Sequence, residues 1–326
     1  MKGCVTKSFL LALALVCGCE AVVRVFFARN MSGRFEYGYH PTAGVVEPGD
    51  GTVRFERAGG RRFHPQQLSA RRPEGVFRVM VVGDSVPRGP SLQASYAMQL
   101  AGQLRARGVK AECVNLAVPG YGARRCQLVL KQALRFEPSL VILHLNNSNE
   151  YEDEREWRRA QEFNGWHPRH WLMKPLVLRR LHEMKTEKVF WEWLPAEVRN
   201  QREVNDADAE VAASMNEQKV REWDQLVAKT LAEDVALCRA AGVPVLVLAR
   251  ARFHANEPLA DSGLDAMARA VEGPGVSVLS MKEALAALPL QSLFADSAHL
   301  RREGHEVLAR AIAEAMERGS LLPAAK

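Results

Sequence analysis

From residue 76 onward the chain repeats one unit, a short apolar run followed by a turn and then a helical stretch. The run at 76–82 is rich in β-branched residues and stops at Gly83, the mark of a strand buried on both faces. Further runs follow at 111–117, 140–145, 243–249 and, more weakly, 275–279. Helical stretches lie between or after them at 95–107, 123–136, 223–241 and 303–318, with Leu100 and Leu104 on one face of the first. Strands that alternate with helices of this length require crossover connections. The expected fold is therefore α/β, with a parallel sheet covered on both faces.

Three segments stand outside this rhythm. At the N-terminus, Lys2 and Lys7 precede an unbroken apolar run from Phe9 to Cys19. Three export readings are open: an uncleaved signal anchor, a lipoprotein signal acylated at Cys19, and a cleaved secretory peptide. Residues 1–29 are assigned to this segment, with Glu20 and Arg24 spaced to pair across one helical turn. All three readings place the rest of the chain outside the cytoplasm, in the periplasm or beyond. Residues 30–73 are rich in Gly, Pro, Arg and His and read as an extended lead-in that wraps onto the domain. Residues 150–222 read as a helical insertion carrying Trp157, Trp166, Trp171, Trp191 and Trp193. Those tryptophans serve either as glue to the core or as a lid or stacking platform.

Composition excludes some classes. With 326 residues, 47% apolar and 25% charged, the chain is long enough for one sizeable core plus appendages. The net charge of +6 is too diffuse to imply nucleic acid. Cys113, Cys126 and Cys238 form no C-x-x-C pair, so a zinc knuckle or redox motif is not expected, and they read as small buried side chains.

Chemistry concentrates at the strand ends. Gly83-Asp84-Ser85 lies just past the first strand, where a helix is about to begin and a helix N-terminus favours developing negative charge. Asp296 and His299 are three residues apart ahead of the last helix, a step that lets a carboxylate orient an imidazole able to take a serine proton. Two more loops, 118–122 and 146–150, hold Gly120 and the asparagines Asn146, Asn147 and Asn149. Glycine N–H groups and asparagine amides are the donors that stabilise a tetrahedral oxyanion.

Taken together and in this order, the features resemble the SGNH/GDSL hydrolase family. Gly83-Asp84-Ser85 matches the nucleophile block, Gly120 the glycine block, Asn149 the asparagine block, and Asp296 with His299 the final Asp-x-x-His block. The likeness runs over about 76–313, within an expected domain at 74–320, and looks like a membrane-attached bacterial branch. Val86-Pro87 and the Asn146-Asn147-Ser148-Asn149-Glu150 run depart from the usual blocks, leaving Asn147 as the alternative to Asn149. The resemblance implies a flavodoxin-like three-layer α/β/α sandwich and a serine esterase without metal or cofactor. Ser85 would be the nucleophile, His299 the base and Asp296 its orienting acid, with Ser85, Gly120 and Asn149 forming the oxyanion hole. The substrate would be an acylated small molecule, lipid or glycan. The alternatives are an O-acyltransferase using the same serine, and a non-catalytic envelope binding protein.

The remaining candidates read as structural. His144 lies inside a strand and is expected to be a buried core residue. His167 and His170 lack an acidic ligand at helical spacing. Arg250, Arg252 and His254 follow the fourth strand and are expected to be solvated, with contact to an acidic substrate as the other reading.

Overall fold

The computed structural model describes residues 2–26, 45–58, 61–154, 175–178, 216–255 and 257–323. The chain divides into two compact units, 1–40 with 59–61 and 156–213, and 41–58 with 62–155 and 214–326.

In the first unit, helix α1 (Lys2–Phe26) covers the N-terminal apolar run. Its Glu20 pairs with Arg24 at 2.9 Å and accepts the backbone N–H groups of Leu176 and Val177. Leu10, Leu11, Leu13, Leu15 and Val16 are exposed. Among the described residues no helix is long and apolar enough to cross a membrane, so the signal-anchor expectation draws no support from α1. The five tryptophans of the insertion, with His167 and His170, lie outside the described residues.

The second unit holds the sheet. Strands β4 (Phe77–Val82), β5 (Ala111–Asn115), β6 (Leu140–Leu145), β7 (Val245–Ala249) and β8 (Val276–Ser280) form a five-stranded sheet in the order β5-β4-β6-β7-β8, parallel throughout. Renumbered within the sheet, this is the flavodoxin-like order 2-1-3-4-5. Every residue of β4, β6 and β7 is buried, which is why these strands read as continuous apolar runs.

Alternate residues feed two cores. On one face Met80, Val82, Leu143 and Val247 pack with Leu130 of α4 (Ala123–Ala133) and Leu231 of α5 (Glu217–Ala240). On the other, Val79, Val81, Ile142 and Leu248 pack with Leu100 of α3 (Tyr96–Ala106) and Ile312 of the closing helix (Arg302–Arg318). The layering is therefore α/β/α.

The lead-in differs from the expected extended segment. It contains β1 (Val45–Val46), β2 (Thr52–Ala58) and β3 (Arg61–Ser69), a second sheet in the order β1-β2-β3. Val53, Phe55, Phe63 and Leu68 from it enter the first core, and Phe55 meets the Phe136 ring edge-on at 6.1 Å. Burial of these four side chains gives the segment a reason to be regular, at about 1.5–3 kcal/mol for each large apolar group removed from water.

Candidate active site

The site lies at the carboxyl ends of β4, β5 and β6. In an open parallel sheet the change of connection direction, here between β4 and β6, leaves a crevice for ligands. After β4 the chain turns at Gly83 into the short helix α2 (Ser85–Arg88). A side chain at 83 would not fit, because a Cβ there would lie 2.6 Å from Pro87 Cγ and 3.0 Å from His144 Cβ. Asp84 caps α2 by accepting the Val86 N–H at 3.0 Å. Behind α2, the Asn115 amide donates to Pro87 O at 2.9 Å, and a His64 ring nitrogen lies 2.9 Å from Arg88 O. Neither residue stood out in the sequence; Asn115 ends a strand that is otherwise apolar but for Glu112.

Ser85, His299 and Asp296 meet in one line. Ser85 Oγ is 2.8 Å from His299 Nε2, and His299 Nδ1 is 2.7 Å from Asp296 Oδ2. A carboxylate only accepts, so Nδ1 carries the ring proton and Nε2 accepts from the serine hydroxyl. Asp296 also accepts the backbone N–H groups of Ala298 and His299. Partial burial raises its pKa, but these bonds and the His299 ring outweigh that and hold it below the ordinary value.

The two oxyanion candidates from other loops come to the same corner. The Val118 N–H donates to Gly83 O at 3.0 Å, which fixes the glycine loop against the serine loop. Gly120 has a φ of 72°, a left-handed conformation that glycine adopts without strain. Among the described residues neither the Ser85 nor the Gly120 backbone N–H has an acceptor. Asn149 Nδ2 donates to Asp84 Oδ2 at 3.0 Å and reaches Tyr121 O at 3.3 Å. Asn147 goes elsewhere, donating to Asp224 of α5 at 2.9 Å. The structure thus brings Asn149, and not Asn147, to the serine loop.

One expectation is corrected. Arg250 is not solvated: its side chain is 2% exposed, beside an Asp84 side chain that is 1% exposed. It follows β7 directly, and β7 pairs with the central strand β6, which puts residue 250 beside the β6 loop. His254 is exposed and Arg252 half-buried. His144 is buried as expected, with Nδ1 3.2 Å from the Tyr96 hydroxyl. Cys113 and Cys238 are buried and Cys126 half-buried. Burial pushes the Cys113 and Cys238 thiols up to about 12, which suits inert core residues. Among the described residues no cluster of His, Cys, Asp and Glu could hold a metal ion.

No protein-family model matches the sequence, and no curated protein matches it. Solved structures do align. The acetyl xylan esterase AlAXEase aligns over 73% of this chain and 98% of its own, at 15% identity and a TM-score of 0.43. TesA aligns over 75% and 99% at 16% identity, with a TM-score of 0.44. A GDSL-like lipase from Bacteroides thetaiotaomicron VPI-5482 aligns over 74% and 88% at 12% identity, with a TM-score of 0.40.

Proposed function

We propose that this protein is a serine ester hydrolase of the SGNH/GDSL type. The observation that carries the reading is the hydrogen-bonded line from Ser85 Oγ through His299 to Asp296. Ser85 Oγ attacks the ester carbonyl carbon and its proton passes to His299 Nε2. The carbonyl oxygen becomes an oxyanion that takes hydrogen bonds from the Ser85 and Gly120 N–H groups and from the Asn149 N–H that otherwise reaches Tyr121 O, the other Asn149 N–H staying on Asp84. The C–O bond to the alcohol breaks, and His299 returns the proton to the departing oxygen. Water then attacks the acyl-enzyme with His299 again taking the proton, which releases the acid and frees Ser85. Asp296 keeps the ring in the required tautomer throughout.

The reading extends to place and substrate. The apolar run behind Lys2 and Lys7, with its exposed leucines on α1, supports export of the second unit to the envelope, whose acylated lipids and glycans would be its esters. Fractionation of cells, with mass analysis of the mature N-terminus, separates anchored, acylated and cleaved forms; full-length cytosolic protein would overturn export.

Enzymatic function is tested by incubating the protein with p-nitrophenyl esters of several chain lengths and with a fluorophosphonate, beside Ser85→Ala. Turnover and labelling in the parent, both lost in the variant, are expected. A parent that neither turns over nor labels sinks the reading. Adding carbohydrate acceptors distinguishes hydrolysis from acyl transfer: an acylated acceptor in place of free acid would make the protein a transferase.

A further inference from the structure

Arg250 spans three strand ends. Its backbone N–H continues the β6–β7 ladder by donating to Leu145 O. Its Nη1 donates to Ser148 Oγ at 2.8 Å in the asparagine loop and lies 3.9 Å from Asp84 Oδ2 in the serine loop. Its Nε and Nη2 are buried with no hydrogen-bond partner among the described residues. Asp84 in turn holds the two groups that matter, the Val86 N–H at the start of α2 and the Asn149 amide.

A carboxylate this deeply buried is neutral unless a cation compensates it. A protonated Asp84 would present an O–H where one of its oxygens now accepts, and would lose its grip on either Val86 or Asn149. We propose that Arg250 is a positioning residue: its guanidinium keeps Asp84 ionised, and ionised Asp84 sets the Asn149 amide and the first turn of α2 where the oxyanion forms. The catalytic consequence rests on the hydrolase reading; the ionisation of Asp84 does not.

Several groups face Asp84. Burial is the largest influence on its pKa and leaves it above the ordinary value; Arg250 is the largest influence that opposes burial, ahead of the Val86 N–H and His299. Tyr96 from α3 and Cys126 from α4 also feel the Asp84 charge, and desolvation with that charge holds both well above their ordinary pKa values. Arg250 faces Arg252 as well as Asp84, and His144 faces Arg250. Arg250 is the one full cation within 4 Å of Asp84 among the described ion pairs.

The experiment compares Arg250→Met, Arg250→Lys, Asp84→Asn and the Arg250→Met/Asp84→Asn double variant in the full chain. Infrared difference spectra report Asp84 without needing turnover. Arg250→Met is expected to show a new protonated-carboxyl band near neutral pH that is missing from the double variant, and Arg250→Lys to show none. On esters, Arg250→Met should lower kcat by about 10²-fold, the scale of one misplaced oxyanion donor, with KM changed far less. Its pH–kcat profile should gain an acid-side loss that Arg250→Lys removes. In the Asp84→Asn background the same substitution should cost less than about threefold, because the residue it acts through is gone. An Arg250→Met protein without the carboxyl band, or with an undiminished kcat loss beside Asp84→Asn, overturns the proposal. A parent without esterase activity would defeat the hydrolase reading while leaving the infrared result to decide the role of Arg250.

Discussion

Asp296 and Asp84 both serve the Ser85 corner, the first with its side chain 55% exposed and the second 1%. Asp296 meets water and three N–H donors from its own loop, so its charge is cheap to keep and local sequence suffices to place it. Asp84 has no such access. Its charge depends on a guanidinium that arrives from a strand more than 160 residues later. One carboxylate thus orients a proton carrier from a surface loop, whereas the other organises the buried scaffold. Equal substitutions at the two should therefore behave differently.

The largest expected effect falls on neither aspartate. Ser85→Ala should reduce ester turnover by about 10⁴-fold or more at unchanged thermal stability, read by steady-state kinetics and fluorophosphonate labelling. Next comes the comparison itself. Asp296→Asn should cost about 10³–10⁴-fold in kcat by favouring the wrong His299 tautomer, with little change in unfolding temperature. Asp84→Asn should destabilise the fold by about 3–5 kcal/mol, because Arg250 is left buried and uncompensated. Denaturant unfolding of both variants checks the contrast. Equal stabilities would break it.

Asn149→Ala should lower kcat by about 10²-fold, and Asn147→Ala much less, since Asn147 ties the loop to α5 through Asp224. A reversed ranking would transfer the third oxyanion donor to Asn147.

The smallest effect concerns pH. Burial depresses the folded pKa of His144 to about 3 and of His305 to about 4, against an ordinary 6.5. The unfolded chain takes up protons that the folded one refuses, so stability falls as pH drops from 6.5 towards those values. Burial raises Glu150 to about 8 and Asp234 to about 7, so their contribution is full below the ordinary carboxylate range and is lost as pH climbs through 7 and 8. Unfolding temperature should therefore peak in mildly acidic buffer. Glu150→Gln should flatten the alkaline side and His144→Gln the acid side. A parent whose stability rises steadily from pH 6 to 9 would contradict the Glu150 and Asp234 assignments, and one whose stability is unchanged from pH 6.5 down to 4 would contradict those of His144 and His305.

The lead-in and Arg250 show where reading the chain fails. Thr52–Ala58 alternates buried Val53 and Phe55 with polar residues, a strand signal in principle, but the Pro and Gly around it argue for irregular chain. Its partner strand contains Pro65 and two arginines at its start, so neither reveals a sheet until both are paired. Arg250, beside Arg252 and His254, has the appearance of a solvated cluster. Nothing local says that Arg250, alone of these three residues, enters the gap between the β4 and β6 loops.

By itself, the sequence determined the parallel α/β layering and the identity of Ser85, Gly120, Asn149, Asp296 and His299 as candidates. Those features live in local pattern: doubly buried strands are continuous apolar runs, and loops at strand ends carry polar residues that the core would not tolerate. Only the tertiary structure brought Asn149 rather than Asn147 to the serine loop, and only it buried Arg250 against Asp84. Both outcomes depend on which strand ends become neighbours. That neighbourhood follows from the β5-β4-β6-β7-β8 order and from the cost of leaving a buried charge alone, not from any spacing along the chain.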